Sequence, residues 1–297
     1  MENIFTGTGP ALITPFNNDL SVDYTSLGNL LEFQMSKGIN FIVALGTTAE
    51  TVTLTHEERH QVYRFIKDIN NGRLPLMVGF GGNNTAEVIA HIKSADFSGI
   101  DAILSVVPYY NKPSQEGLYR HFMALAEICP VPIVLYNVPS RCGVNMSAET
   151  TLRLANSSSK FIAIKEASGN IDQIKKIIDE SPVGFGVISG DDSMIYPINA
   201  LGGDGVISVM ANALPAETVM LTNNSMNNEP IAEAEQDGYN ELIKLLFVEG
   251  NPAGVKAILH QKGMIDNVLR LPLCPVSDKV YQAISEELMS IGNVNHF

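Results

Sequence analysis

The chain has 297 residues, 45% hydrophobic and 17% charged, with a formal net charge of −13; this much apolar material supports a large core and excludes a disordered chain. The acidity argues against nucleic acid or an anionic membrane as partner, and no apolar run reaches the length of a bilayer crossing. Met1-Glu2-Asn3 lacks the basic-then-apolar pattern of a signal peptide, and three cysteines (Cys129, Cys142, Cys274) without a Cys-x-x-Cys suit a reducing, cytoplasmic location.

Short apolar runs recur about every thirty residues, the length of one strand-helix unit. The first, Gly9–Thr14, precedes an amphipathic segment from Asp23 to Lys37 with Leu27, Leu30, Leu31 and Met35 at helical spacing and a stop at Gly38. Phe41–Leu45 is followed by Thr55 and Glu58, a capping box that opens a helix over Thr55–Ile69. Leu76–Phe80 precedes Asn84 and Glu87, which repeat the device before Val88–Phe97; Ala102–Val107 precedes Ser114 and Gly117, which open Leu118–Ile128. Ile133–Tyr136, Phe161–Lys165 and Gly186–Ser189 are followed by the caps Ser147, Asn170 and Asp192, and Gly205–Val209 is the eighth run. Eight strands alternating with helices predict an α/β fold, a (β/α)8 TIM barrel over residues 1–224, with a doubly wound sheet as the competing architecture. Ile231–Val248, Pro252–Gly263 and Ser277–Met289 predict a C-terminal helical extension over residues 225–297, packed on the barrel and joined at Ser225–Pro230.

In a barrel the chemistry sits at the C-terminal ends of the strands. The sixth strand ends in Lys165, on the same face as Phe161 and Ala163. Burying its ammonium lowers its pKa, and a neutral amine forms Schiff bases with carbonyl substrates; the bland alternative is a lysine that snorkels to water. The second strand ends in Gly46-Thr47-Thr48-Ala49-Glu50, a hydroxyl-bearing turn able to face a carboxylate, or an ordinary turn with a threonine cap. Tyr109 and Tyr110 follow the fourth strand and Tyr136 ends the fifth; such tyrosines usually pack, but one sharing a mouth with a Schiff-base lysine suits proton transfer. Arg141 carries the planar fork that matches a carboxylate. Gly190 and the stretch Gly205-Val206-Ile207-Ser208 end the last two strands, where glycine allows close approach of a substrate.

Together, Gly46–Glu50, Tyr136-Asn137-Val138-Pro139-Ser140-Arg141, Lys165-Glu166-Ala167-Ser168-Gly169 and Gly205-Val206-Ile207-Ser208-Val209 resemble the dihydrodipicolinate synthase family of class I pyruvate-dependent aldolases and lyases, over nearly the whole chain. Ala49 stands where the family's Gly-Thr-Thr-Gly-Glu motif has its second glycine. The resemblance implies condensation of pyruvate with L-aspartate 4-semialdehyde on a lysine Schiff base, in lysine and diaminopimelate biosynthesis, with no cofactor and no metal. It makes Lys165 the imine-forming residue, Tyr136 the proton shuttle, Thr48 the relay hydroxyl and Tyr110 the residue completing the relay from a neighbouring subunit. It further assigns Thr47, Thr48, Gly190 and Ile207 to the pyruvate end and Arg141 to the semialdehyde carboxylate. A homotetramer of two tight dimers follows from it, as does a possible allosteric lysine site at Thr51, Val52, His56, Arg59, Gly81, Asn83, Glu87 and Tyr109. There, Glu87 and Asn83 would hold an α-amino group and His56 the far end, whereas Arg59 departs from the lysine-sensitive pattern and predicts weak inhibition.

Two other readings stay in view. A sister enzyme acting on N-acetylneuraminate or a 2-keto-3-deoxy sugar acid would share the lysine and tyrosine, but Arg141 suits a carboxylate better than a polyol. A non-catalytic binding barrel would have no use for Lys165, Tyr136 and Thr48 together. His56-Glu57-Glu58-Arg59-His60 matches a zinc pattern literally, but lies in a helix's first turn without an obvious third ligand. Gly79-Phe80-Gly81-Gly82-Asn83-Asn84 lacks the third glycine of a dinucleotide loop, and Asp191-Asp192 reads as a helix cap.

Overall fold

A computed structural model describes residues 4–294; residues 1–3, which carry the reading on a leader, and 295–297, the end of the extension, lie outside the described residues. Eight strands, β1 (Gly7–Pro10), β2 (Ile42–Ala44), β3 (Leu76–Gly79), β4 (Ala102–Val106), β5 (Ile133–Asn137), β6 (Phe161–Glu166), β7 (Gly186–Ser189) and β8 (Gly205–Ser208), pair in parallel in the order β1-β8-β7-β6-β5-β4-β3-β2. The ring joins where Asn40 N–H donates to Thr8 O at 2.8 Å and Leu12 N–H to Val43 O at 3.0 Å, beside an Ala11–Val43 bridge. The barrel reading holds, and the open sheet is excluded.

The helices follow from local chemistry. In α1 (Tyr24–Ser36), Leu27, Leu30 and Leu31 face the core. Helix α2 (His56–Asn70) opens on the complete Thr55–Glu58 capping box. Asn84 caps α3 (Thr85–Ser94) and Ser114 caps α4 (Gln115–Ile128), each accepting a backbone N–H. After the single turn α5 (Pro139–Cys142), Ser147 caps α6 (Ala148–Ser157) and Asn170 caps α7 (Ile171–Glu180). Short α8 (Ile195–Asn199) and Pro-initiated α9 (Pro215–Met226) complete the barrel layer, and α10 (Ala232–Phe247), α11 (Ala253–Gln261) and α12 (Asp278–Val294) form the extension.

Two expectations shift. The first strand lies earlier than Gly9–Thr14, because Ile13 N–H turns to Asn212 Oδ1 and the Thr14 hydroxyl to Ala49 O instead of to a strand neighbour. The cap on the seventh-strand turn is Asp191, which accepts from Ser193 N–H; Asp192 instead turns inward. Close backbone approach explains one glycine: a Cβ on Gly205, at φ +128°, would stand 1.9 Å from Gly7 O across the β1–β8 seam.

The extension and the barrel share one apolar cluster, in which Leu242, Ile258 and Ile284 pack with Leu12, Ile13 and Leu45. An ion pair crosses the same boundary: Lys256 Nζ lies 2.5 Å from Glu50 Oε1, with neither side chain reaching solvent. The Lys256 ammonium and the Arg270 guanidinium lie 4.3 and 4.5 Å from the Phe16 ring centroid. Arg270 in turn pairs with Glu58, at the head of α2.

Candidate active site

Parallel register places Tyr136 beside Lys165, and Asn137 beside Glu166, at the C-terminal ends of β5 and β6. Alternation sends the two pairs to opposite faces. On one, the Lys165 amine stands 4.4 Å from the centroid of the Tyr136 ring. On the other, Asn137 Nδ2 and Gln173 Nε2 donate to the buried Glu166 carboxylate at 3.1 Å, and Ser168 N–H donates to it at 2.8 Å. This network ties the end of β5, the end of β6 and the start of α7 behind the lysine; burial pushes the Glu166 carboxyl above its usual range, and the donated hydrogen bonds oppose that rise.

Lys165 is 6% exposed. Burial lowers its pKa to about 8; Asp192 opposes the shift, Arg141 adds to it and Asp191 opposes it. Burial pushes the Tyr136 phenol up to about 12, moderated by the Arg141 charge and a hydrogen bond from the Thr47 side chain. Asp192 is fully enclosed: its Oδ2 accepts from Val209 N–H at 3.0 Å and Met210 N–H at 2.9 Å, while burial raises its pKa to about 6. Gly190 gives the lysine its room, since a Cβ there would lie 3.0 Å from Lys165 Cγ and Cε.

A cavity of about 660 Å³ collects Thr47, Thr48, Tyr136, Arg141, Lys165 and Gly190. Ile207 does not line it; that side chain is 1% exposed within β8, and Val209 lines the cavity in its place. Tyr110 also lies outside it, 87% exposed at φ +73°.

The two threonines meet different partners. Thr47 makes the hydroxyl contact to Tyr136, whereas Thr48 is buried and its Oγ1 accepts from Asn251 Nδ2 at 3.0 Å. The cause is the 3-10 turn Thr47–Ala49, in which successive side chains point about 120° apart, so that only one can face the phenol. Sequence reasoning also missed Asn240, Ile243, Lys244, Phe247 and Asn251, which bring the extension into the cavity wall. Asn251, just before Pro252, reads in the sequence as a helix-entry residue, with no local signal connecting it to a turn two hundred positions away.

A second cavity, of about 540 Å³, shares Thr47, Tyr136, Val138 and Arg141 with the first and continues past Cys142, Thr51, Val52, His56, Arg59, Gly81 and Tyr109. Asn83 and Glu87 do not line it: Asn83 Nδ2 donates to Tyr109 O at 3.1 Å, and Glu87 is exposed on the first turn of α3. His56 and His91 meet edge to face, with ring centroids 4.3 Å apart. Burial, with His56 and Arg59 nearby, lowers the His91 pKa. Arg59 Nε donates to Thr51 O at 3.0 Å and Leu54 O at 3.2 Å.

Comparison with known proteins places this arrangement. The chain is 50% identical over 287 residues to the 4-hydroxy-tetrahydrodipicolinate synthase of Parabacteroides distasonis, covering 96% of this chain and 97% of that one. It superposes on the dihydrodipicolinate synthase of Thermotoga maritima with a TM-score of 0.95 at 38% identity, over 98% and 99% of the two chains. DHDPS from Cyanidioschyzon merolae with lysine bound gives a TM-score of 0.94 at 35% identity, over 98% and 99% of the chains. The model of the dihydrodipicolinate synthetase family matches residues 4–291, and the chain belongs to that family.

Proposed function

We propose that the chain is a lyase that joins pyruvate to L-aspartate 4-semialdehyde as a 4-hydroxy-tetrahydrodipicolinate synthase, in lysine and diaminopimelate biosynthesis. The carrying observation is the enclosed Lys165 amine against Tyr136 in a cavity with Arg141 on its wall. Neutral Lys165 attacks C2 of pyruvate, the carbinolamine loses water, and the resulting imine loses a C3 proton to become an enamine. Enamine C3 then bonds to the aldehyde carbon. The amine of the semialdehyde adds to C2, expels Lys165 and closes the ring.

Tyr136 and Thr47 carry the protons between these steps, since their side chains touch. Thr48 donates its hydroxyl to the pyruvate carboxylate, Gly190 and Val209, just past β8, shape that end of the pocket, and Arg141 holds the semialdehyde carboxylate. The iminium nitrogen is the electron sink, so the reaction calls for no cofactor. The exposed Tyr110 is offered to a neighbouring subunit's relay in a homotetramer of two dimers. Unpaired Cys129, Cys142 and Cys274 support a cytoplasmic setting, and among the described residues no helix is long and apolar enough to cross a membrane.

The second cavity is the corresponding lysine site, weakened here by Arg59. The test of the activity is pyruvate consumption that depends on aspartate semialdehyde and disappears in Lys165→Ala. Turnover of N-acetylneuraminate or a sugar acid, with none of the semialdehyde, would contradict the assignment.

A further inference from the structure

Resting on the assignment of Thr48 to the pyruvate carboxylate, we propose that Asn251 of the C-terminal extension is a positioning residue that fixes the Thr48 hydroxyl as a donor toward that carboxylate. A hydroxyl has one proton to give and two lone pairs to receive. Asn251 Nδ2 donates to Thr48 Oγ1 at 3.0 Å, between side chains that are 6% and 3% exposed. With a lone pair engaged by the amide, the Thr48 proton is left for an acceptor, and both residues line the cavity that holds Lys165. The Asn251 amide makes no described contact to Lys165 itself, so its action passes through Thr48.

The surrounding structure holds the two residues in register. Glu50, two positions after Thr48, and Lys256, five after Asn251, form the fully buried ion pair between the turn and α11. Lys256 Nζ also donates to Val268 O at 2.9 Å, and Glu50 Oε2 accepts Arg270 N–H at 3.0 Å. The catalytic turn and the segment entering α11 are therefore tied at two points, one carrying charge and one carrying the hydroxyl. An extension that only covered the barrel's apolar surface would need neither tie.

The test is a double-mutant cycle in pyruvate kinetics on the full-length enzyme: wild type, Asn251→Ala, Thr48→Val and the pair. Asn251→Ala should raise KM for pyruvate about tenfold, the size of a weakened hydrogen bond to a charged group, with little change in kcat. The double variant should be no worse than Thr48→Val. Multiplying effects, or an unchanged KM in Asn251→Ala, would overturn the proposal. Asn251→Asp tests the direction: its carboxylate only accepts, so it draws the Thr48 proton away and should raise KM beyond the alanine variant; a wild-type KM there would overturn the donor orientation. Asn251→Gln, which keeps the amide but displaces it, gives the same reading if the alanine variant loses its fold, seen by circular dichroism. Borohydride trapping of pyruvate on wild-type Lys165 separates the two levels: no trapping sinks the underlying reaction, whereas trapping with an uncoupled cycle sinks only the role of Asn251.

Discussion

A lysine with a pKa of about 8 keeps roughly a tenth of its amine neutral at pH 7, against a few parts in ten thousand at the ordinary 10.5. The enclosure of Lys165 thus raises the share of neutral amine available as a nucleophile near pH 7. Because the neutral form reacts, the rate of imine formation should climb with pH and level off above about 8; a single-turnover pH profile with pyruvate reads this directly. Asp192 faces the lysine as an anion and holds that pKa up, alongside Asp191 and against Arg141. Asp192→Asn should therefore lower the lysine's pKa further and move the profile to lower pH, by on the order of one unit. An upward move would show that Asp192 does not act on the amine as a charge.

Among the elements, the Glu50–Lys256 pair joins the Gly46–Glu50 turn to the extension, and unlike a surface salt bridge it is fully buried. Lys256→Met would leave Glu50 enclosed without its countercharge and should cost about 3–5 kcal/mol, whereas adding Glu50→Gln should recover much of it. Chemical denaturation at fixed protein concentration checks both. The second cavity has its own expectation. Arg59 and Arg141 line it and, among the described residues, no carboxylate does, so a lysine ammonium there meets like charge. Lysine should inhibit weakly, and Arg59→His should tighten inhibition about ten- to a hundredfold; half-inhibition of the wild type at sub-millimolar lysine would show that Arg59 leaves the site open. What the sequence made legible at this scale has a physical pattern. Strands such as Phe161–Glu166 and caps such as Thr55 and Ser114 are local devices, visible in a few consecutive residues. Lys165, Tyr136 and Arg141 were readable because a barrel's strand ends all converge. The different partners of Thr47 and Thr48 were not, because they depend on how a 3-10 turn rotates two adjacent side chains. Asn251 and the wall of α10 escaped because long-range packing alone brings them to the site.

For the whole molecule, the extension and the barrel form one body: they share a core, and among the described residues five of the extension line the cavity that holds Lys165. Tyr110 stands exposed to solvent, where a neighbouring chain could meet it. Tyr110→Phe should reduce turnover by a factor on the order of 10² if the phenol moves protons for a neighbour. Reassembled hybrids of Tyr110→Phe and Lys165→Ala subunits should regain partial activity, because some sites then hold an intact lysine and receive an intact tyrosine. Hybrids as inactive as both parents would confine the relay to one subunit. Whether Lys165 is the nucleophile toward pyruvate is read by reducing the enzyme with borohydride in the presence of pyruvate and mapping the adduct by peptide mass spectrometry. One stable adduct on Lys165, and none in Lys165→Arg, is the expected result; an adduct on another lysine, or no adduct in an enzyme that turns over, would rule Lys165 out as the nucleophile.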